Sequence, residues 1–156
     1  MSEDLTYKWD MRFLDLAQCV AGWSKDPSTK VGSVIVRPDR TVAALGFNGF
    51  PRSMPDLPEL LNNRDEKYSR VIHAEMNALL QAREPVKGYI MYCTLLPCDR
   101  CLVHAAQAGI VRFVAPTATG EAAIRWKDSH TKTLGYAAQM GLEVVQYGIS
   151  ILKEIQ

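Results

Sequence analysis

The sequence has no long apolar run, and its N-terminal ten residues, Met1 to Asp10, carry acids early. On that pattern neither a secretory signal nor a transmembrane helix is expected there. It also lacks an excess of charge of either sign: 18 Lys and Arg stand against 17 Asp and Glu, for a net charge of +1, and the basic residues are scattered rather than striped. Such a balance offers no footprint for gripping a nucleic-acid backbone or an anionic membrane, and it suits a small substrate better. Cysteines are few. Two of the four sit in Cys98-x-x-Cys101, so with no export signal a disulfide framework is the weaker reading, and a metal in a reducing, cytoplasmic compartment the stronger. Internal repeats and low-complexity segments are absent. What is there, 47% hydrophobic and 22% charged residues in 156, is ordinary for a soluble globular chain, and one domain over 1–156 is the expectation.

Hydrophobic periodicity places the elements. Phe13, Leu16, Ala17 and Val20 repeat at helical spacing, which predicts an amphipathic helix over about 4–24, ending before Asp26-Pro27. The β-branched runs Val31 to Val36 and Thr41 to Phe47 predict an antiparallel hairpin. Residues 48–70, with Gly49 and three prolines, read as a long irregular connection with one short helix around Glu59 to Asn63. A helix from about His73 to Ala82, a strand over Tyr89 to Leu95, a helix from Pro97-Cys98 to about Ala108 and a strand over Val111 to Ala115 follow. The last pair is a helix near Thr131 to Met140, ended by Gly141, and a strand over Leu142 to Tyr147. The alternation calls for parallel pairing in its later half. A three-layer α/β/α sandwich around a five-stranded mixed sheet is the expected fold class, with site residues at element ends.

Cys98 and Cys101 are one helical turn apart at a predicted helix N-terminus, where both sulfurs can face one point and the helix dipole favours thiolates. His73, at the start of the preceding helix, can add a neutral imidazole. Three ligands for Zn²⁺ leave the fourth tetrahedral position open, which is the mark of a catalytic rather than a structural site. Two thiolates cancel the charge of the ion, so a nearby base gains importance, and Glu75, two residues from His73, suits the role of proton carrier. The pattern H-x-E followed by P-C-x-x-C is the signature of the zinc nucleobase deaminases, with the Glu as acid and base. Two blander readings stand beside it. The cysteines could be core thiols and His73 a helix start, or His104, one turn beyond Cys101, could close a structural site as a fourth ligand. His130, Cys19 and Cys93 read as loop and core residues.

Beyond that signature the chain resembles the deoxycytidylate deaminase family in Ser24 to Gly32, Gly46 to Pro51, His73 to Ala78 and Leu96 to Ile110, a match spanning roughly residues 12–147. The resemblance implies a cytidine-deaminase-like fold, one catalytic Zn²⁺ held by His73, Cys98 and Cys101, and Glu75 as catalytic residue. It implies hydrolysis of dCMP to dUMP with release of ammonia, and a homo-oligomer, hexamer or dimer. Asn48 would meet the sugar of the nucleotide, its alternative being a turn asparagine with left-handed backbone. Trp126 would stack on the base, its alternative being a tryptophan that covers core. Ser24, Lys25 and Arg125 are candidate substrate or phosphate contacts, as is Ala74 between ligand and carboxylate. Gly46, Gly49 and Arg52 are candidate regulatory or phosphate contacts, with dCTP and dTTP as candidate effectors. The connection from Gly49 to Val71 departs from some phage members in lacking their extra cysteine and histidine ligands, so one zinc is expected rather than two. Other readings keep the zinc but change the substrate to a nucleoside, a modified dCMP, guanine or a pterin, or leave a non-catalytic module that senses nucleotides.

Overall fold

The computed structural model describes residues 3–148; the expected domain, 1–156, extends at both ends outside the described residues. Helix α1 (Glu3–Ala21) is followed by strands β1 (Gly32–Val36) and β2 (Val42–Phe47) and the short helices α2 (Pro58–Leu61) and α3 (Arg64–Arg70). Helix α4 (Ala74–Gln81), β3 (Ile90–Cys93), α5 (Asp99–Ala108) and β4 (Arg112–Pro116) come next. Helices α6 (Gly120–Arg125) and α7 (Lys127–Met140) and strand β5 (Glu143–Tyr147) complete the order.

The strands form one mixed sheet in the order β2-β1-β3-β4-β5. β1 pairs antiparallel with both β2 and β3, while β3, β4 and β5 run parallel. Alternation across the pleat divides the interior in two. Val34, Val36, Tyr92 and Val114 point to the α1 face, where they meet Met11, Phe13, Leu14 and Ala17. Ile35, Met91, Cys93 and Phe113 point the other way, against residues of α4, α5 and α7 such as Ala78, Leu102 and Ala137. The result is the expected α/β/α sandwich.

Two glycines bring layers into contact. A Cβ on Gly32 would lie 2.0 Å from the Ala17 carbonyl oxygen, and one on Gly46 would lie 2.4 Å from both the Ala74 carbonyl oxygen and the Ala78 nitrogen. β1 therefore rests on the backbone of α1, and β2 on that of α4, at a range only glycine permits. Antiparallel pairing puts the start of β1, the end of β2 and the end of β3 at one edge of the sheet, and α4 and α5 both begin there. This edge carries the site.

The elements differ from the sequence expectation where no apolar period exists. α3 has the sequence RDEKYSR and buries only Lys67, and α6 buries nothing; the expectation placed neither. α7 starts at Lys127 rather than near Thr131, its N-cap being Trp126, which offers no side-chain cap. α1 stops at Ala21, where Gly22 and the turn after it take over. No helix among the described residues is long and apolar enough to cross a membrane.

Candidate active site

His73 is the N-cap of α4 and Cys98 the N-cap of α5, both with extended backbone. The imidazole of His73 makes no capping bond, which leaves it free to turn toward α5. Its Nδ1 lies 3.6 Å from Cys98 Sγ and 3.4 Å from Cys101 Sγ. With zinc–sulfur and zinc–nitrogen bonds of ordinary length, the sulfur–nitrogen edge of a tetrahedral site is about 3.6 Å. The three donors therefore stand at the spacing the ion requires. α7 braces the ligand turn: Ser129 Oγ donates to Asp99 Oδ1 at 2.7 Å and Thr133 Oγ1 to the Pro97 carbonyl at 2.8 Å, on either side of Cys98.

Charge makes the same case for a cation. Cys98 is drawn down to about 4, chiefly by a hydrogen bond from Cys101, against the effect of burial, and with help from His73 and the Cys101 N–H. Cys101 is pushed up by sharing a proton with that thiolate and by burial. Burial also raises the carboxyl of Glu75, although the charge of His73 opposes it. Two thiols and a carboxyl crowded into a buried corner cannot all ionise without a positive charge among them. A divalent ion between the donors meets that need.

Among the described residues His73, Cys98 and Cys101 are the only such donor cluster. His104 is exposed, its Nδ1 is 2.6 Å from the Arg100 carbonyl oxygen, and it takes no part in the cluster. The closed, four-ligand alternative therefore has no fourth ligand here. Glu75, in the first turn of α4, is 4% exposed and lines one open pocket together with His73 and Cys98.

The expected substrate residues separate into two groups. Asn48, Ala74, Arg125 and Trp126 line the pocket. The Trp126 ring meets His73 edge-on, with centroids 6.4 Å apart, and stacks on His130 at 6.4 Å. It belongs to neither apolar core. Asn48 has no left-handed backbone, Arg40 being the only non-glycine residue with positive φ among those described, so the turn alternative falls. Its amide is a brace: Oδ1 accepts from the Val31 N–H at 2.9 Å and Nδ2 donates to the Thr29 carbonyl at 2.9 Å.

Ser24, Lys25, Gly46, Gly49 and Arg52 are not in the pocket lining. Ser24 is buried behind Asn48, donating to its carbonyl at 2.9 Å. Lys25 pairs with Asp56 on the surface, and Arg52 donates to Gln81. Gly46 is occupied by packing on α4, and Gly49 forms a bridge with Ile72. The pocket residues absent from the sequence reading are Asp26, Lys67, Arg64 and Tyr68 above all. Asp26-Pro27-Ser28 carries a turn signal that could have marked Asp26; a lysine in a polar stretch carries none.

A mixed sheet that brings two helix N-termini, two thiols, an imidazole and a buried carboxyl to one edge defines a metal-dependent hydrolase of the deaminase type. The chain belongs to the family described as the cytidine and deoxycytidylate deaminase zinc-binding region, whose model matches residues 7–117. A protein of Aliivibrio fischeri described as an uncharacterized deaminase in the luxG 3' region is 37% identical over 146 residues, covering 94% of this chain and 98% of that one. The deoxycytidylate deaminase of Mus musculus is 39% identical over 115 residues, 69% of this chain, and the match spans 64% of the mouse protein, less than two thirds of its length. The dCMP deaminase of cyanophage S-TIM5, solved in complex with dCMP and dUMP, superposes with a TM-score of 0.70 at 25% identity, over 94% of this chain and 98% of that one.

Proposed function

We propose that this protein hydrolyses dCMP to dUMP and ammonia as a single-domain, zinc-dependent nucleotide deaminase. The observation that carries the reading is a three-donor cluster at zinc spacing with Glu75 buried beside it in one pocket. The choice of dCMP is supported by relatives of that name and by the nucleotides held in the cyanophage neighbour.

In this reading His73, Cys98 and Cys101 hold the ion. A zinc ion held there would lower the pKa of a bound water and so supply a nucleophile near neutral pH. Glu75 takes the proton of the attacking water and delivers it to N3 of the cytosine ring while the oxygen bonds to C4. It then carries the second proton to the amine at C4; the C4–N bond breaks and ammonia leaves. Burial suits the carboxyl to this work, because a raised pKa lets it hold a proton between the two transfers. Trp126 stacks on the base and Arg125 meets the phosphate, with Ala74 and Asn48 forming the wall beside them.

The finer readings belong with it. The protein assembles as a homo-oligomer, dimer or hexamer, as the family resemblance implies. It works in the cytoplasm. dCTP and dTTP are candidate effectors acting near Gly46, Gly49 and Arg52. The test is loss of ultraviolet absorbance with dCMP, CMP, deoxycytidine, dCTP and guanine, with and without triphosphates. dCMP is expected to be turned over fastest; preference for an unphosphorylated substrate overturns the reading.

A further inference from the structure

The chain between β2 and α4 leaves the sheet and returns to it. Its neck is closed by two bonds, Gly49 N–H to the Ile72 carbonyl at 3.1 Å and Ile72 N–H to the Gly49 carbonyl at 2.8 Å. No residue between 50 and 71 belongs to either apolar core. The outer attachments, Lys25 to Asp56 and Arg52 to Gln81, are exposed and so contribute little. Yet α3 supplies one wall of the pocket through Arg64, Lys67 and Tyr68.

Lys67 is the only buried residue of α3. Its ammonium lies 3.1 Å from Asp26 Oδ1 and 3.2 Å from Ser28 Oγ. Asp26 is itself fixed, since Oδ1 also accepts from the N–H groups of Ser28 and Thr29 at 2.8 and 3.2 Å. A buried ion pair stabilises a fold no better than well-packed apolar side chains of the same size. What it does supply here is a defined place for a helix that has no apolar face.

We propose that Lys67 is a positioning residue: its ion pair with Asp26 latches α3 over the pocket and presents Arg64 to the anionic end of a bound nucleotide. Arg64 suits that end. Its guanidinium lies over the Tyr68 ring at 5.9 Å, and neither it nor Arg125 is salt-bridged among the described residues. The two carboxylates of the pocket are committed elsewhere, Asp26 to Lys67 and Glu75 beside the metal cluster. Two open guanidiniums on one pocket match a phosphate, which accepts forked hydrogen bonds. The inference rests on the dCMP reading for its substrate, but not for the latch.

The test compares wild type with Lys67→Met, Lys67→Arg, Arg64→Ala and the double variant Arg64→Ala/Lys67→Met, each carrying its zinc. In Lys67→Met, amide exchange is expected to speed up over 64–71 and stay unchanged over 74–81. KM for dCMP should rise about tenfold with kcat held within about threefold, the pattern of lost binding rather than lost chemistry. Arg64→Ala should match it, and the double variant should be no worse than either, because Lys67 acts through Arg64. Lys67→Arg should recover most of the affinity. Unchanged exchange in Lys67→Met overturns the latch, and additive KM effects overturn its action through Arg64. If Lys67→Met does not fold, Asp26→Asn/Lys67→Met removes both charges and is held to the same outcomes. A wild type that ignores dCMP overturns the functional reading, while the exchange comparison still decides the latch.

Discussion

Arg112 grips Asp10 with both arms, Nη1 to Oδ1 at 2.8 Å and Nη2 to Oδ2 at 2.7 Å, across 102 residues of sequence. The same carboxylate accepts from the hydroxyls of Tyr92 and Tyr147, each at 2.7 Å. One side chain of α1 thus ties together β3, β4 and β5 beneath the sheet.

Burial tends to raise the carboxyl of Asp10, but the hydrogen bonds from Arg112, Tyr147 and Tyr92 outweigh it and hold the pKa below its ordinary value. A lowered folded pKa stabilises the protein fully above the unfolded value, near pH 4, and loses that stability as pH falls through the folded value. Asp10→Asn should cost about 3 kcal/mol at neutral pH, because Arg112 loses its buried charge partner and keeps only the exposed carboxylate of Glu143, 3.0 Å from its Nε. Urea unfolding between pH 3 and about 7 should show a flatter pH dependence in the variant than in wild type.

Glu75→Gln should keep its zinc while turnover drops about 10²–10⁴-fold, the share usual for a positioned acid and base. Metal analysis beside steady-state kinetics on one preparation checks both halves. Substantial activity in the metal-loaded variant would remove Glu75 from the proton path.

Cys98→Ser should lose the metal rather than only the chemistry, because it removes one of three protein ligands. A chelator should do the same to wild type, and added zinc should restore activity there but not in the variant. Purified wild type that holds no zinc when prepared without chelators would sink the metal assignment.

Gly46→Ala places a methyl 2.4 Å from the backbone of α4. The helix must move, at a cost of about 1–3 kcal/mol, and it carries His73 and Glu75 with it. A lower melting temperature together with weaker zinc retention is the expected pair of outcomes, read by thermal unfolding and competition with a colorimetric chelator.

Trp126→Ala should weaken dCMP binding by about 1–3 kcal/mol, the range for loss of one stacked base, and Trp126→Phe by less. KM values for the two variants decide it. Equal values for all three proteins would leave Trp126 as a cover over His73.

The metal cluster was legible because its logic is local. Cys98 and Cys101 share one turn, and His73 and Glu75 share the start of one helix, so spacing alone brings each pair to its place. β1 was legible from the β-branched run Val34 to Val36, which a strand covered on both faces favours, and the later strands from short apolar stretches placed between helices. α3 was not, because a helix held by a lysine shows no apolar period. The partner of Lys67 is 41 positions away, a distance over which no spacing rule operates. Asn48 shows a subtler limit. Its place on the pocket followed from the motif, but its amide is engaged with Val31 and Thr29, and nothing in the motif distinguishes a brace from a contact.

The stitch between Gly49 and Ile72 makes the span it encloses an interchangeable cassette. Strand β2 and helix α4 are held together at the neck by these two backbone bonds, so changes within the span are expected to reach the metal centre only weakly. The wall that α3 gives the pocket is therefore carried on a different piece of chain from the metal ligands and from Arg125 and Trp126, so it can change in sequence without changing them.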